Sequence, residues 1–105
     1  MPEFTSQEVY AQSYDIVFNK AQEALREMDA KIESADMDAG TIKASKKFQL
    51  FKKADFIITF VKEEKGVKVI ATSKMSALTM GLIDIGRNEK FLQQFFSNLY
   101  RKVNL

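Results

Sequence analysis

The chain has 105 residues, 46% of them hydrophobic and 29% charged, which fits a single globular domain with its own core. It contains no histidine, cysteine or tryptophan, which excludes His-based and thiolate nucleophiles, imidazole or thiolate metal sites, and disulfides. The net charge of +2 hides an asymmetry: residues 1–40 hold nine acids against three bases, and residues 41–105 hold thirteen bases against five acids. Such a split either steers an anionic partner or lets oppositely charged elements face one another.

Residues 5–12 read as a weak first strand, anchored by Val9 and Tyr10. Ser13 is a fitting N-cap, with Asp15 in the first helical turn. Val17, Phe18, Ala21, Ala24, Leu25 and Met28 then recur at helical spacing. After Asp29 the period changes to two. Ala30, Ile32 and Ser34 alternate with Lys31, Glu33 and Ala35, and residues 36–40 supply turn chemistry ending on Gly40. Residues 41–45 return with Ile42 and Ala44 on one face, which completes a hairpin.

The strongest strand spans residues 55–62, where Phe56, Ile58 and Phe60 alternate with Ile57, Thr59 and Val61. Apolar side chains on both faces predict a central place in the sheet. Residues 63–66 turn the chain into a last strand, with Val67, Val69 and Ala71 inward. A second helix follows, with Phe91, Leu92, Phe95, Phe96, Leu99, Tyr100 and Val103 as its apolar stripe and Asp84 or Asn88 as its cap. The expected fold is α+β, in the order β-α-β-β-β-β-α. It is a four- or five-stranded antiparallel sheet with two helices on one face, forming one domain over residues 1–105.

Two segments carry the functional signal. Residues 43–53 hold five lysines and no acid, with Lys46, Lys47, Lys52 and Lys53 interleaved by Phe48, Leu50 and Phe51. Basic residues beside aromatics suit anionic lipid surfaces or single-stranded nucleic acid. Alternatively, the aromatics tuck into the sheet end while the lysines guard an edge. The second segment, residues 74–83, is apolar and Met-containing, with Lys74, Met75 and Leu78. In an antiparallel meander both segments leave the sheet at one end, so the tentative partner-binding set is Lys46, Lys47, Phe48, Phe51, Lys52, Lys53, Lys74, Met75 and Leu78.

Other motifs fail on inspection. Gly81 and Gly86 have phosphate-loop spacing, but Arg87 and Asn88 stand where a lysine and a Mg²⁺-binding hydroxyl are needed. Asp36 and Asp38 form at most half of a calcium loop and read as a hairpin turn. Glu63 and Glu64 are adjacent in a turn and point apart, and Tyr10, Tyr14 and Tyr100 read as amphipathic residues at the core edge.

An apolar first helix, Asp36 and Gly40 before Ile42 and Ala44, and the Asp84, Gly86, Asn88 spacing together resemble small bacterial domains of β-α-β4-α order whose functions are mostly uncharacterised. Some proteins of that shape are envelope lipoproteins, including a component of the outer-membrane barrel-assembly machine. The resemblance implies no catalytic residues. The sequence reading is therefore a non-catalytic binding module without catalytic, cofactor or metal residues, docking through the apolar, basic end. Its alternatives are a small apolar-ligand carrier, with the pocket between sheet and last helix, and a binder of nucleic acid or an anionic membrane surface. The expected partner is a protein or an anionic surface, a second copy is a further candidate, and nucleic acid is disfavoured. With no leader pattern and no apolar run long enough to span a bilayer, the expected location is cytoplasmic; an envelope location would require a processed or engineered N-terminus.

Overall fold

The computed structural model describes residues 3–49, 52–75 and 82–104. Strand β1 (Glu3–Tyr10) precedes helix α1 (Tyr14–Glu27), and strands β2 (Lys31–Asp36), β3 (Thr41–Gln49), β4 (Lys52–Glu63) and β5 (Gly66–Met75) lead to helix α2 (Leu82–Val103). The five strands form one antiparallel sheet in the order β1-β5-β4-β3-β2. The doubly apolar strand β4 is its centre, as its pattern predicts. Strands β2 to β5 run as a meander, and β1 closes the sheet against β5, so α1 carries the chain from one edge to the other.

Both helices cover one face. Ile42 and Ala44 of β3, Ala54, Phe56, Ile58 and Phe60 of β4, and Val67, Val69 and Ala71 of β5 are all buried there. The α1 stripe of Val17, Phe18, Ala21, Ala24 and Leu25 and the α2 stripe of Phe91, Leu92, Phe95, Phe96 and Leu99 meet them. Tyr100 is the exception to the predicted stripe, at 62% exposed. It sits on the flank where α2 overhangs the edge strand β1, and no described residue covers it from that side.

Local geometry follows the capping chemistry. Asp36 accepts the Ala39 amide at 3.0 Å and its carbonyl accepts the Gly40 amide at 2.9 Å, with Gly40 at φ +68°. Helix α1 ends in a Schellman arrangement, in which the Ala30 amide donates to the Leu25 carbonyl and the Asp29 amide to that of Arg26, both at 3.0 Å. Asp29 takes the left-handed position at φ 60°. At the other terminus Ser13 is the N-cap residue of α1, but its side chain makes no capping hydrogen bond. The start of α2 differs from expectation: the helix begins at Leu82, so Asp84 and Asn88 lie inside its first two turns and Gly86 is a helical residue. Residues 82–88 are therefore no phosphate loop.

The charge asymmetry is folded onto itself. Glu3 pairs with Lys74 at 3.6 Å, Glu33 with Lys53 at 4.0 Å, and Glu27 with Arg101 at 3.3 Å and with Lys102. The Glu27 cluster ties α1 to α2, and the Lys102 hydrogen bond, helped by both cations, holds the Glu27 carboxyl below its usual range. A carboxylate with a depressed folded pKa stabilises above its unfolded pKa and loses that contribution as pH falls through the folded value. Glu27→Gln should therefore lower the urea midpoint slightly near neutral pH, and the gap to the parent should close on acidification below the ordinary carboxylate pKa of about 4.3. Urea titrations of both proteins across that range check this; a gap independent of pH would show that the ion pairs contribute nothing.

Candidate functional site

The strand register brings the two predicted segments together. Lys46 pairs with Ala54, Lys47 with Lys53 and Gln49 with Lys52, while Ala54 also pairs with Met75 and Asp55 with Lys74. Phe48 occupies a bulge between Lys47 and Gln49. Strand β2 stops at the Lys31–Ser45 pair, whereas the β3–β4 pairing continues past it to Gln49 and Lys52. The turns at 36–40 and 63–66 lie at the opposite end. Phe51 and Leu78 lie outside the described residues.

The lysines of this end have different duties. Lys46 Nζ donates to the Met28 carbonyl at 2.5 Å, and Met28 is the C-cap of α1, where carbonyls lack helical partners and a cation meets the negative end of the dipole. Lys46 is thus a helix cap as well as part of the basic rim, a tertiary contact that sequence spacing does not reveal. Lys53 lies between Glu33 at 4.0 Å and Asp55 at 3.8 Å, and Lys74 lies beside Glu3 at 3.6 Å. These pairs are about half exposed and contribute little to stability. Lys47 is exposed.

The apolar floor of the site is built from small residues. On the covered face Phe56 stands in one row between Ser73 and Ala44, with Ala54 and Ala71 in the rows beside it. All four of these small residues are buried. The room they leave is filled by Phe91 of α2, whose ring stacks on Phe56 at 4.0 Å and 11°. Leu82 stands nine positions before Phe91, so α2 extends about 13 Å beyond the stack toward the basic end. Ala54 is the buried residue of β4 nearest that end, paired with Lys46 of β3 and Met75 of β5. The stack lies directly inward of Ala54 on the covered face.

At the opposite end, a groove of about 480 Å³ is lined by Tyr14, Asp38, Gly40, Phe60 and Lys62. The Tyr14 hydroxyl donates to the Met37 carbonyl at 2.8 Å, and Lys62 Nζ lies 5.0 Å from the ring centroid. Burial, and then Asp38 and Asp36, push the Tyr14 phenol up, so it stays neutral. It is a lock between the start of α1 and the β2–β3 turn rather than a nucleophile. Sequence reasoning missed it, and the one available signal was an aromatic at the first helical position. Among the described residues no three acidic side chains converge as a metal site, and no helix is long and apolar enough to cross a membrane.

The sequence matches no protein-family profile and no curated protein. Solved structures are similar at the level of the fold. The crystal structure of Ara h 8.0201 superposes with a TM-score of 0.68 at 10% identity, covering 99% of both chains. That of TTHA0849 from Thermus thermophilus gives 0.54 at 12% identity, covering 97% of both. The likeness is one of fold alone. It lends no support to the envelope-lipoprotein resemblance.

Proposed function

We propose that this protein is a non-catalytic carrier of a small apolar molecule with an anionic group, held at the mouth between the β3–β4 tip, the end of β5 and the first turns of α2. The observation that supports this reading most is the set of small buried residues Ala44, Ala54, Ala71 and Ser73 around the Phe56–Phe91 stack, at the end of the sheet where Lys46, Lys47, Lys53 and Lys74 lie. Phe91 fills the room over these small residues, so the apolar body lies beside the stack at the Ala54 end, where lysines suit its charged group. The absence of histidine and cysteine fits binding better than catalysis.

The test is titration with 1-anilinonaphthalene-8-sulfonate, an apolar anion, with native mass spectrometry counting the bound molecules. One saturable site is expected, weakened by salt as the screening length falls from about 10 Å at 0.1 M to about 3 Å at 1 M. Lys47, Lys52 and Lys53 replaced together by Gln should weaken binding roughly tenfold, since exposed charge pairs are worth about 0.2–1 kcal/mol each. Lys46 is left in place because it caps α1. Equal binding of uncharged N-phenyl-1-naphthylamine would remove the lysines from the site. Binding to phosphatidylglycerol vesicles without binding of the soluble probe would make this end a lipid-docking surface instead of a carrier site.

A further inference from the structure

The two edges of the sheet are managed differently. Strand β2 carries Lys31, Glu33 and Asp36 and a register break between Ile32 and Ser34, the usual protections of an exposed edge. Strand β1 has neither a lysine nor a break: its eight residues pair with β5 in unbroken register from Glu3–Lys74 to Tyr10–Val67. Its other edge pairs with no described strand. An edge of that length and regularity is a template for another extended chain.

The surroundings of β1 are shaped for side chains. On the helix side, a groove of about 380 Å³ lies between Ser6 and Glu8 of β1 and Gln93, Ser97 and Tyr100 of α2. A second groove of about 400 Å³ continues from Glu8 and Tyr100 past Val9 to Asn104. Glu8 is the one charged residue lining either groove. Its Oε2 accepts the Tyr10 hydroxyl at 3.0 Å, and no ion pair joins it to another described residue. Val9 and Tyr100, the most exposed large hydrophobic residues among those described at 60% and 62%, flank the same edge on opposite faces.

We infer that the free edge of β1 is a strand-addition site for an extended segment of another protein that carries an arginine or lysine at the position facing Glu8 and Tyr100. The added strand hydrogen-bonds to the β1 backbone, its alternate side chains enter the grooves beside α2, and those between them lie near Val9 on the open face. A cation in the groove meets the Glu8 carboxylate and the exposed Tyr100 ring together. Charge argues against a second copy of this chain: β1 carries no lysine or arginine, so a second β1 strand brings another Glu8 and no cation to meet the first, while Glu3 is already paired with Lys74. This site lies at the β1 edge of the sheet, away from the mouth, and does not depend on the carrier reading.

The test uses ¹⁵N-labelled protein and an acetylated, amidated peptide Thr-Val-Arg-Val-Thr-Val, compared with the same peptide carrying Glu in place of Arg. Amide shifts are expected in residues 3–10 and around Gln93, Ser97 and Tyr100 with the Arg peptide, with slowed exchange along β1. Glu8→Gln should reduce affinity for the Arg peptide roughly two- to fivefold, the worth of a partly exposed charge pair, and leave the fold intact. Tyr100→Ala provides a second variant at an exposed position. Equal binding of the Arg and Glu peptides, or no shifts in β1 at millimolar peptide, overturns the proposal. Concentration-dependent β1 shifts without peptide, together with a dimer by sedimentation, overturn it in favour of self-association.

Discussion

Phe56→Ala is expected to lower the unfolding free energy by about 3–5 kcal/mol, the range for truncating a buried aromatic. The ring is 1% exposed and stacked on Phe91, so removing it loses its own burial and strips one face from its neighbour. A domain of this size has a net stability of about 5–15 kcal/mol, so a large part of the margin goes with one side chain. The matched control is Tyr100→Ala on the same helix, which should stay within about 0.5 kcal/mol because that ring is 62% exposed. A double-mutant cycle with Phe91→Ala should show a coupling of about 0.5–1.5 kcal/mol from the stack. Urea midpoints measure all of these. An unchanged midpoint for Phe56→Ala would mean that the two layers do not close through this pair. The same substitution tests the mouth: with the ring inward of Ala54 removed, the site should admit a longer apolar body, readable as tighter binding of longer-chain alkyl sulfates.

The elements that were legible in the sequence are those whose partners are local or whose two faces differ. Alternation in β4 gave the strand, and apolar residues on both its faces match the central place it takes between β5 and β3, although Val61 on the open face stays 39% exposed. The α1 stripe and the Gly40 turn follow from helical period and from backbone freedom. Strand β1 was faint because its Thr, Ser, Gln and Glu residues are mostly exposed, and its existence rests on pairing with β5 far along the chain, from Glu3–Lys74 to Tyr10–Val67. Tyr100 falls within the arc of the α2 stripe by period, but an amphipathic arc does not state how wide the cover is. The lysine-rich end was located correctly by meander topology. The separate work of its lysines was not, because the bond from Lys46 to the Met28 carbonyl and the pairing of Lys74 with Glu3 both depend on strand order.

Gly66→Ala is expected to destabilise the fold more than Gly40→Ala. Gly66 sits at φ +150°, in a region that L side chains rarely adopt, and holding a non-glycine in such a conformation costs about 1–3 kcal/mol. Space makes it worse. A Cβ built there would lie 1.9 Å from the Tyr10 carbonyl oxygen and 2.9 Å from its carbon, both backbone atoms that cannot swing aside. Relief requires the end of β1 to move away from β5, which breaks the Tyr10–Val67 pairing and withdraws the buried Tyr10 ring from beneath α2. Gly40→Ala is the informative comparison. Its φ is +68° and its added Cβ would meet the Phe60 carbonyl oxygen at 2.7 Å, but the second contact, at 2.8 Å, is the Tyr14 hydroxyl, the movable end of a side chain. Both variants should lower the urea midpoint, Gly66→Ala by more, and only Gly66→Ala should speed amide exchange along residues 3–10. Equal losses in the two variants, with β1 exchange unchanged, would show that the β4–β5 turn yields without disturbing the edge strand it supports.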